Sequence, residues 1–276
     1  MEQAGSTHND LIKREFTRQA EAYASNPTIV DAEWAARLVA SVRPGADARV
    51  LDIATGPGYV ALAFATVTDQ VVGVDLTDAP LAIARKNAAE RGQENVSFES
   101  ADANALPWPE DSFDVVVCRL AFHHFGSPAQ VFSEMVRVCR PGGRVAVEDL
   151  TASEQPDRAG VYNHWERLRD PSHVAALSLG QLLALYRDAD VELERLNWED
   201  RVQDAEQWMR NTETAPDTAE TIRHLILDDA SGGLSGTPIF EDDGGRLCFV
   251  HRIVTLVGRK TAGVPGLETT HTSLEL

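Results

Sequence analysis

Three carboxylates and a cluster of histidines carry the chemistry open to this chain. Asp52 lies inside the apolar run Val50–Ala54, four residues before Gly56. Asp75 lies near the end of the run Gln70–Leu76, and Asp102 follows the run Val96–Ser100. His123 and His124 come just after a fourth run, Asp114–Arg119, and His164 and His173 lie further on. A carboxylate offers two acceptor oxygens, enough for a pair of hydroxyl donors. A histidine titrates near neutrality, so it can take a proton from a phenol, an amine or an activated carbon acid. His123, His124 and His173 are therefore the candidate bases.

These residues need elements that bring them to one edge. Val50, Leu51, Ile53 and Ala54 form a continuous apolar stretch, which suits a strand covered on both faces. Thr55-Gly56-Pro57-Gly58 breaks it, and Val60–Ala65 starts a helix at once. Glycines there allow a tight turn and the close approach of a ligand. The order strand, glycine turn, helix is the nucleotide-cradling layout at the carboxyl edge of a parallel sheet. Gly56, Gly58 and Ala61 satisfy the dinucleotide pattern loosely. Asp52 argues for a different ligand, because a carboxylate beside the loop repels a pyrophosphate. It suits S-adenosylmethionine (SAM), which carries an ammonium and a sulfonium.

At this point Leu51-Asp52-Ile53-Ala54-Thr55-Gly56-Pro57-Gly58 resembles motif I of the class I SAM-dependent methyltransferases. Three further motifs follow in that family's order over Arg49–Leu150: Asp75 ending strand two, Asp102 after strand three, and a helix, Arg140-Pro141-Gly142-Gly143 and a strand. The resemblance implies an α/β fold, a doubly wound, seven-stranded, mostly parallel sheet with an antiparallel last strand and inserted lid helices. It places Asp75 on the ribose hydroxyls and Asp102 on the adenine amino group, with Leu76 and Ala103 flanking the ring. It adds Ala54, Thr55, Gly56, Gly58, Ala101, Arg119, Leu120 and Ala121 to the cofactor set. The stretch Phe16–Tyr23 resembles the N-terminal helix of quinone-type methyltransferases, which implies that Tyr23 approaches the cofactor.

The expected organisation is N-terminal helices over the pocket in 1–45, the SAM-binding core in 46–150, lid insertions and last strands in 151–260, and a polar tail in 261–276. The lid would comprise Glu154–Arg169 and Ala205–Leu227, and Ser231–Gly245, rich in glycine, reads as a loop. Val191–Val202 and Phe249–Val257 would supply the antiparallel pair. Phe122, Tyr162 and Trp165, with Trp108, Trp198 and Trp208, are the aromatics available for an acceptor pocket, where His123 would also sit.

Bulk properties narrow the partners. Lys+Arg of 25 against Asp+Glu of 43 gives a net charge of −18 in 276 residues. That argues against nucleic acid and against an anionic membrane surface, both of which call for a basic face. Cys118, Cys139 and Cys248 form neither a disulfide framework nor a Cys-x-x-Cys metal pair, so no metal is expected. No run reaches the ~18 apolar residues of a membrane span. The expectation is a cytoplasmic enzyme, monomer or homodimer, of the kind found in bacterial quinone and secondary metabolism. It would move a methyl group from SAM to a small-molecule acceptor at oxygen, nitrogen or carbon by in-line displacement, leaving S-adenosylhomocysteine (SAH). The alternatives are a non-methylating SAM-binding regulator or cyclase and, disfavoured by Asp52 and Asp102, an NAD(P)-dependent reductase.

Overall fold

A computed structural model describes residues 7–24 and 31–262, so the tail from 263 onward lies outside the described residues. The first helix, α1 (His8–Ala24), precedes α2 (Ala32–Val42), whose N-cap Asp31 accepts a hydrogen bond from the Trp34 N–H. Then come β1 (Arg49–Ile53), α3 (Tyr59–Phe64), β2 (Gln70–Asp75), α4 (Asp78–Glu90), β3 (Val96–Ser100) and β4 (Phe113–Arg119). A short 3₁₀ turn, Phe122–His124, leads to α5 (Pro128–Val138) and β5 (Cys139–Thr151). The remainder is α6 (Pro156–Arg169), α7 (Leu179–Asp188), β6 (Val191–Asp204), α8 (Ala205–Arg210), α9 (Pro216–Gly232), β7 (Ile239–Glu241) and β8 (Leu247–Lys260).

The strands form one eight-stranded sheet in the order β3-β2-β1-β4-β5-β8-β6, with β7 paired to β8. The first five strands run parallel, while β8 is antiparallel to both β5 and β6. The seven-stranded expectation therefore holds along the main path. The eighth strand is a correction, because Ile239–Glu241 lies in the stretch read as a loop. Its three residues pair with Leu247–Phe249, an alignment that local composition does not reveal. The helix before it also runs on to Gly232, five residues past the expected end at Leu227.

Two cores cover the faces of the sheet. On one, α5 turns Val131, Phe132, Met135 and Val138 inward at helical spacing against Val116, Cys118 and Val147. Each such side chain stabilises the fold by roughly 1.5–3 kcal/mol on burial. On the other, α3 and α4 bury Leu62, Phe64, Leu81 and Ala84 with Val50, Val115 and Phe98. A third cluster joins Trp34 of α2, Tyr162 and Trp165 of α6, Trp208 of α8 and Ile222 and Ile226 of α9 over Phe249 and Ile253 of β8.

The strand order reverses between β1 and β4. In such sheets the crevice outside the carboxyl ends of those two strands is where a ligand binds. Ala54, just after β1, and Leu120, just after β4, both have left-handed backbone, with φ of 53° and 51°. Each costs about 1 kcal/mol or more for a residue with a Cβ, and such strain concentrates at functional sites.

Candidate active site

Between β1 and β2 the glycine turn is held by two carboxylates. Asp52 Oδ2 accepts hydrogen bonds from Thr55 Oγ1 at 2.6 Å and the Ala61 N–H at 3.1 Å, tying strand, turn and helix together. Burial pushes its pKa up to about 7, against the pull of those bonds. Asp75 accepts from the Gly56 N–H at 3.0 Å and the Thr77 N–H at 2.9 Å, and burial raises its pKa as well. Gly58 has φ 84°, and an added Cβ would lie 2.8 Å from the Phe98 ring. Gly73, on β2, makes room for the same ring and for Thr55.

A cavity opens over this turn. Ala54, Gly56, Asp75, Leu76, Ala101, Asp102, Ala103, Leu120 and Ala121 line its floor and sides. Asn9, Ile12, Phe16 and Ala20 of α1 line it as well. Asn9 Nδ2 donates to Asp102 Oδ2 at 2.9 Å, and His8 Nε2 lies 2.7 Å from the His124 carbonyl. Burial opposes the charge on Asp102, yet the bonds from Asn104 and Asn9 hold its pKa below the usual value. A mostly apolar slot with two carboxylates and a glycine turn fits an adenosine whose hydroxyls and amino group need acceptors. A smaller neighbouring hollow is lined by Asp52, Thr55, Gly56, Arg119 and Leu120. Arg119 Nε is 3.1 Å from Glu148 Oε1, and its guanidinium lies over the Trp34 ring at 4.0 Å.

Behind Leu120 lies a second, more polar cleft, lined by Gln19, His123, His124, Arg169, Asp170, Trp208 and His251 among others. Leu120 and His124 line both it and the cavity over the turn. The 3₁₀ turn brings both histidines here, and Asp149 holds that turn. Its carboxylate accepts from the Phe122 N–H at 2.6 Å, the His123 N–H at 3.3 Å and the Leu150 N–H at 2.6 Å, and lies 2.5 Å from His123 Nδ1. Burial lowers the His123 pKa, but the charge and hydrogen bond of Asp149 outweigh it, so the pKa is raised. His124, its ring centroid 4.2 Å from that of His123, is pushed down to about 4 by burial and by the charge on His123. Glu166 is fully buried, yet Arg169 and His251, each at 3.1 Å, hold its pKa well below the carboxylate range.

Several expected residues sit elsewhere. Phe122 does not line either cavity; the 3₁₀ turn packs it edge-on against Phe125 and Phe132 in the core. Trp165 packs against Phe249 in the third cluster, and Tyr162 lines a separate hollow with Trp198 and Arg252. Neither ring lines either of the two cavities: Trp165 lies in the third cluster, and the Tyr162 hydroxyl donates to Glu166 Oε1 at 3.2 Å. Trp198 is 65% exposed on β6, and Trp108 packs edge-on against Phe113, whereas Trp208 does line the cleft. His173 also lines neither cavity; burial pushes its pKa down to about 2, and its Nε2 lies 2.7 Å from Asn163 Oδ1. The Tyr23 side chain lies outside the described residues. Sequence reasoning missed Asp149, Glu148, Asn9, Gln19, Arg169 and His251. The pair Glu148-Asp149 inside the apolar run Val145–Leu150 was the available signal.

Comparison with known proteins assigns the family. The family described as "Methyltransferase domain" matches residues 44–213. An uncharacterized methyltransferase of Bacillus subtilis, YcgJ, is 38% identical over 171 residues, 62% of this chain and 68% of that one. Its crystal structure superposes with a TM-score of 0.79 at 30% identity, covering 84% of this chain and 100% of that one. The 27-O-demethylrifamycin SV methyltransferase of Amycolatopsis mediterranei is 34% identical over 196 residues, 69% of each chain. A demethylmenaquinone methyltransferase of Thermus thermophilus is 41% identical over 119 residues, 42% of this chain and 54% of that relative. The chain belongs to the methyltransferase-domain family and is a SAM-dependent methyltransferase.

Proposed function

We propose that this chain methylates a small-molecule acceptor seated in the polar cleft, with the cofactor in the cavity over the glycine turn. The observation that carries this reading is the shared wall: Leu120 and His124 line both spaces. The names of the rifamycin and menaquinone relatives support an acceptor of small-molecule class.

SAM, when bound, supplies a methyl carbon made electrophilic by a positive sulfur. The chain's own residues bind, orient and shield. Asp75 and Asp102 are the acceptors for the adenosine, and the hollow with Asp52, Thr55 and Arg119 takes the amino-acid end. Helix α1 covers the cavity, pinned through His8 and Asn9. Helices α6 and α8 act as a lid, placing Arg169 and Trp208 in the wall of the cleft, with the guanidinium 4.6 Å from the indole centroid. Holding a nucleophile ~3–3.5 Å from the reacting carbon in a dry site supplies most of the acceleration. One loop histidine takes the proton when the acceptor carries one.

The test is calorimetric titration with SAH, using NADH as control, followed by an acceptor screen with methyl-labelled SAM. SAH binding without NADH binding, together with label transfer to a small hydroxylated arene, is expected. Absent SAH binding, or SAH binding with no label transfer to any small molecule, would overturn the reading.

A further inference from the structure

Ser172 Oγ lies 2.6 Å from Asp170 Oδ1 and 3.1 Å from His124 Nδ1. A hydroxyl has one hydrogen, and a carboxylate can only accept. The hydrogen of Ser172 therefore goes to Asp170, and the hydroxyl oxygen is left to accept from His124. That requires the hydrogen of the His124 ring to be on Nδ1. The Ser172 N–H also donates to Asp170 Oδ1, at 2.9 Å, so the turn 170–172 is held rigidly. Ser172 is fully buried and Asp170 nearly so, at 4% exposure.

The other ring nitrogen, Nε2, has no hydrogen-bond partner among the described residues. His124 is the histidine whose ring borders both the cofactor cavity and the polar cleft. The groups around it are His123 of the same turn, Asp149 of β5, Asp170 and His173 of the loop after α6, and the Phe16 ring of α1, which meets it edge-on at 5.1 Å.

We propose that Asp170 and Ser172 are positioning residues that hold His124 in its Nδ1–H tautomer, so that Nε2 accepts the proton of a hydroxyl-bearing methyl acceptor. The inference rests on the methyl-transfer reading and assigns the base within it. As the oxygen takes the methyl carbon, its O–H bond breaks and the proton goes to Nε2. The electron pair of the O–H bond stays on oxygen, one oxygen lone pair forms the bond to carbon, and the pair of the breaking C–S bond leaves with sulfur. Low basicity is no obstacle, because an oxygen already bonding to the methyl group becomes strongly acidic. His124 is also unprotonated at neutral pH, with its pKa near 4. His123 is the less suited of the two, because its Nδ1 is taken by Asp149 and it lines the polar cleft but not the cavity over the glycine turn. A hydroxyl acceptor also suits the cleft: Gln19 Nε2, Trp208 Nε1 and Arg169 Nε are buried donors without acceptors among the described residues, and oxygen atoms of a substrate would satisfy them.

The test is nitrogen NMR of the protein labelled in its histidine rings and saturated with SAH, with His124→Gln to assign the signals. The expected result is His124 predominantly as the Nδ1–H tautomer. Ser172→Ala should shift it to the Nε2–H form that free imidazoles prefer, and Ser172→Thr should restore the native pattern. An Nε2–H ring in the unaltered protein overturns the proposal, even if Ser172→Ala does not fold. An unchanged tautomer in folded Ser172→Ala overturns it as well. Calorimetry on the same samples separates the two readings: loss of SAH binding counts against methyl transfer, while the ring signals report the relay alone.

Discussion

Replacing Asp149 by asparagine removes one negative charge and keeps the shape, so it asks what the carboxylate does. Its two oxygens serve four donors: His123 Nδ1 and the Leu150 N–H on Oδ1, and the Phe122 and His123 N–H groups on Oδ2. An asparagine has one carbonyl oxygen, and its amide hydrogens would face the other two donors. All of this is buried, Asp149 being 2% exposed. Breaking a buried pair by removing one partner costs about 3–5 kcal/mol, and a buried donor left unpaired costs about 1–3 kcal/mol. The terms overlap, so the expected loss is about 3–5 kcal/mol, a large share of a domain's ~5–15 kcal/mol. The sign with pH follows from His123. Its folded pKa is raised, so its contribution is complete below the unfolded value of ~6.5 and is lost as pH rises through the folded value. The difference between the two proteins should therefore be largest near pH ~6 and smaller near pH ~9. Urea unfolding of both proteins at the two pH values, with equal m-values, measures it. A loss under about 1 kcal/mol near pH ~6, or one that does not shrink at the higher pH, would refute the pairing.

Asp75→Ala should weaken SAH binding by about 1–3 kcal/mol in a folded protein, read by calorimetry; unchanged affinity removes Asp75 from the site. Gly73→Ala should destabilise by about 1–3 kcal/mol, since the new Cβ would meet Phe98 at 2.7 Å and Thr55 at 2.8 Å, and a melting temperature equal to that of the parent would show that the ring yields freely. SAH affinity should rise as pH climbs toward about 7, because burial raises Asp52 to about 7 and only its ionised form favours an ammonium. Asp52→Asn should flatten that profile, and a flat profile in the unaltered protein would place the ammonium elsewhere.

The cofactor side was legible because its signals are local. A strand, a glycine turn and a helix follow one another within about sixteen residues, and each acidic residue lies near the carboxyl end of its own strand: Asp52 one residue before the end of β1, Asp75 at the end of β2 and Asp102 two residues past β3. The aromatic residues carried no such information. Trp208 and Trp165 look alike in sequence and both pack on Phe249 in the third cluster, yet only Trp208 also reaches the cleft, a difference set by what packs around each helix. The Ser172 contact to His124 spans 48 residues and the Asp149 contact to His123 spans 26, so neither partner is visible until the chain is folded.

Glu148 and Asp149 carried a signal of their own. Two carboxylates near the carboxyl end of a covered strand are not left alone in a stable protein, since an unpaired buried charge costs too much. Each must meet a cation or a set of donors from the neighbouring strand. The parallel neighbour β4 ends at Arg119, which is in register with Glu148 and forms the ion pair with it. One residue further along β5, Asp149 faces the turn that follows β4, and there the partner is His123 with its backbone. Strand order and register together thus place Arg119 and His123 opposite these acids, while Thr255 of β8, the neighbour on the other side, donates to Glu148 as well. Where a buried strand reaches the carboxyl edge of such a sheet carrying adjacent acids, the preceding parallel strand is the place to look for the groups that they orient.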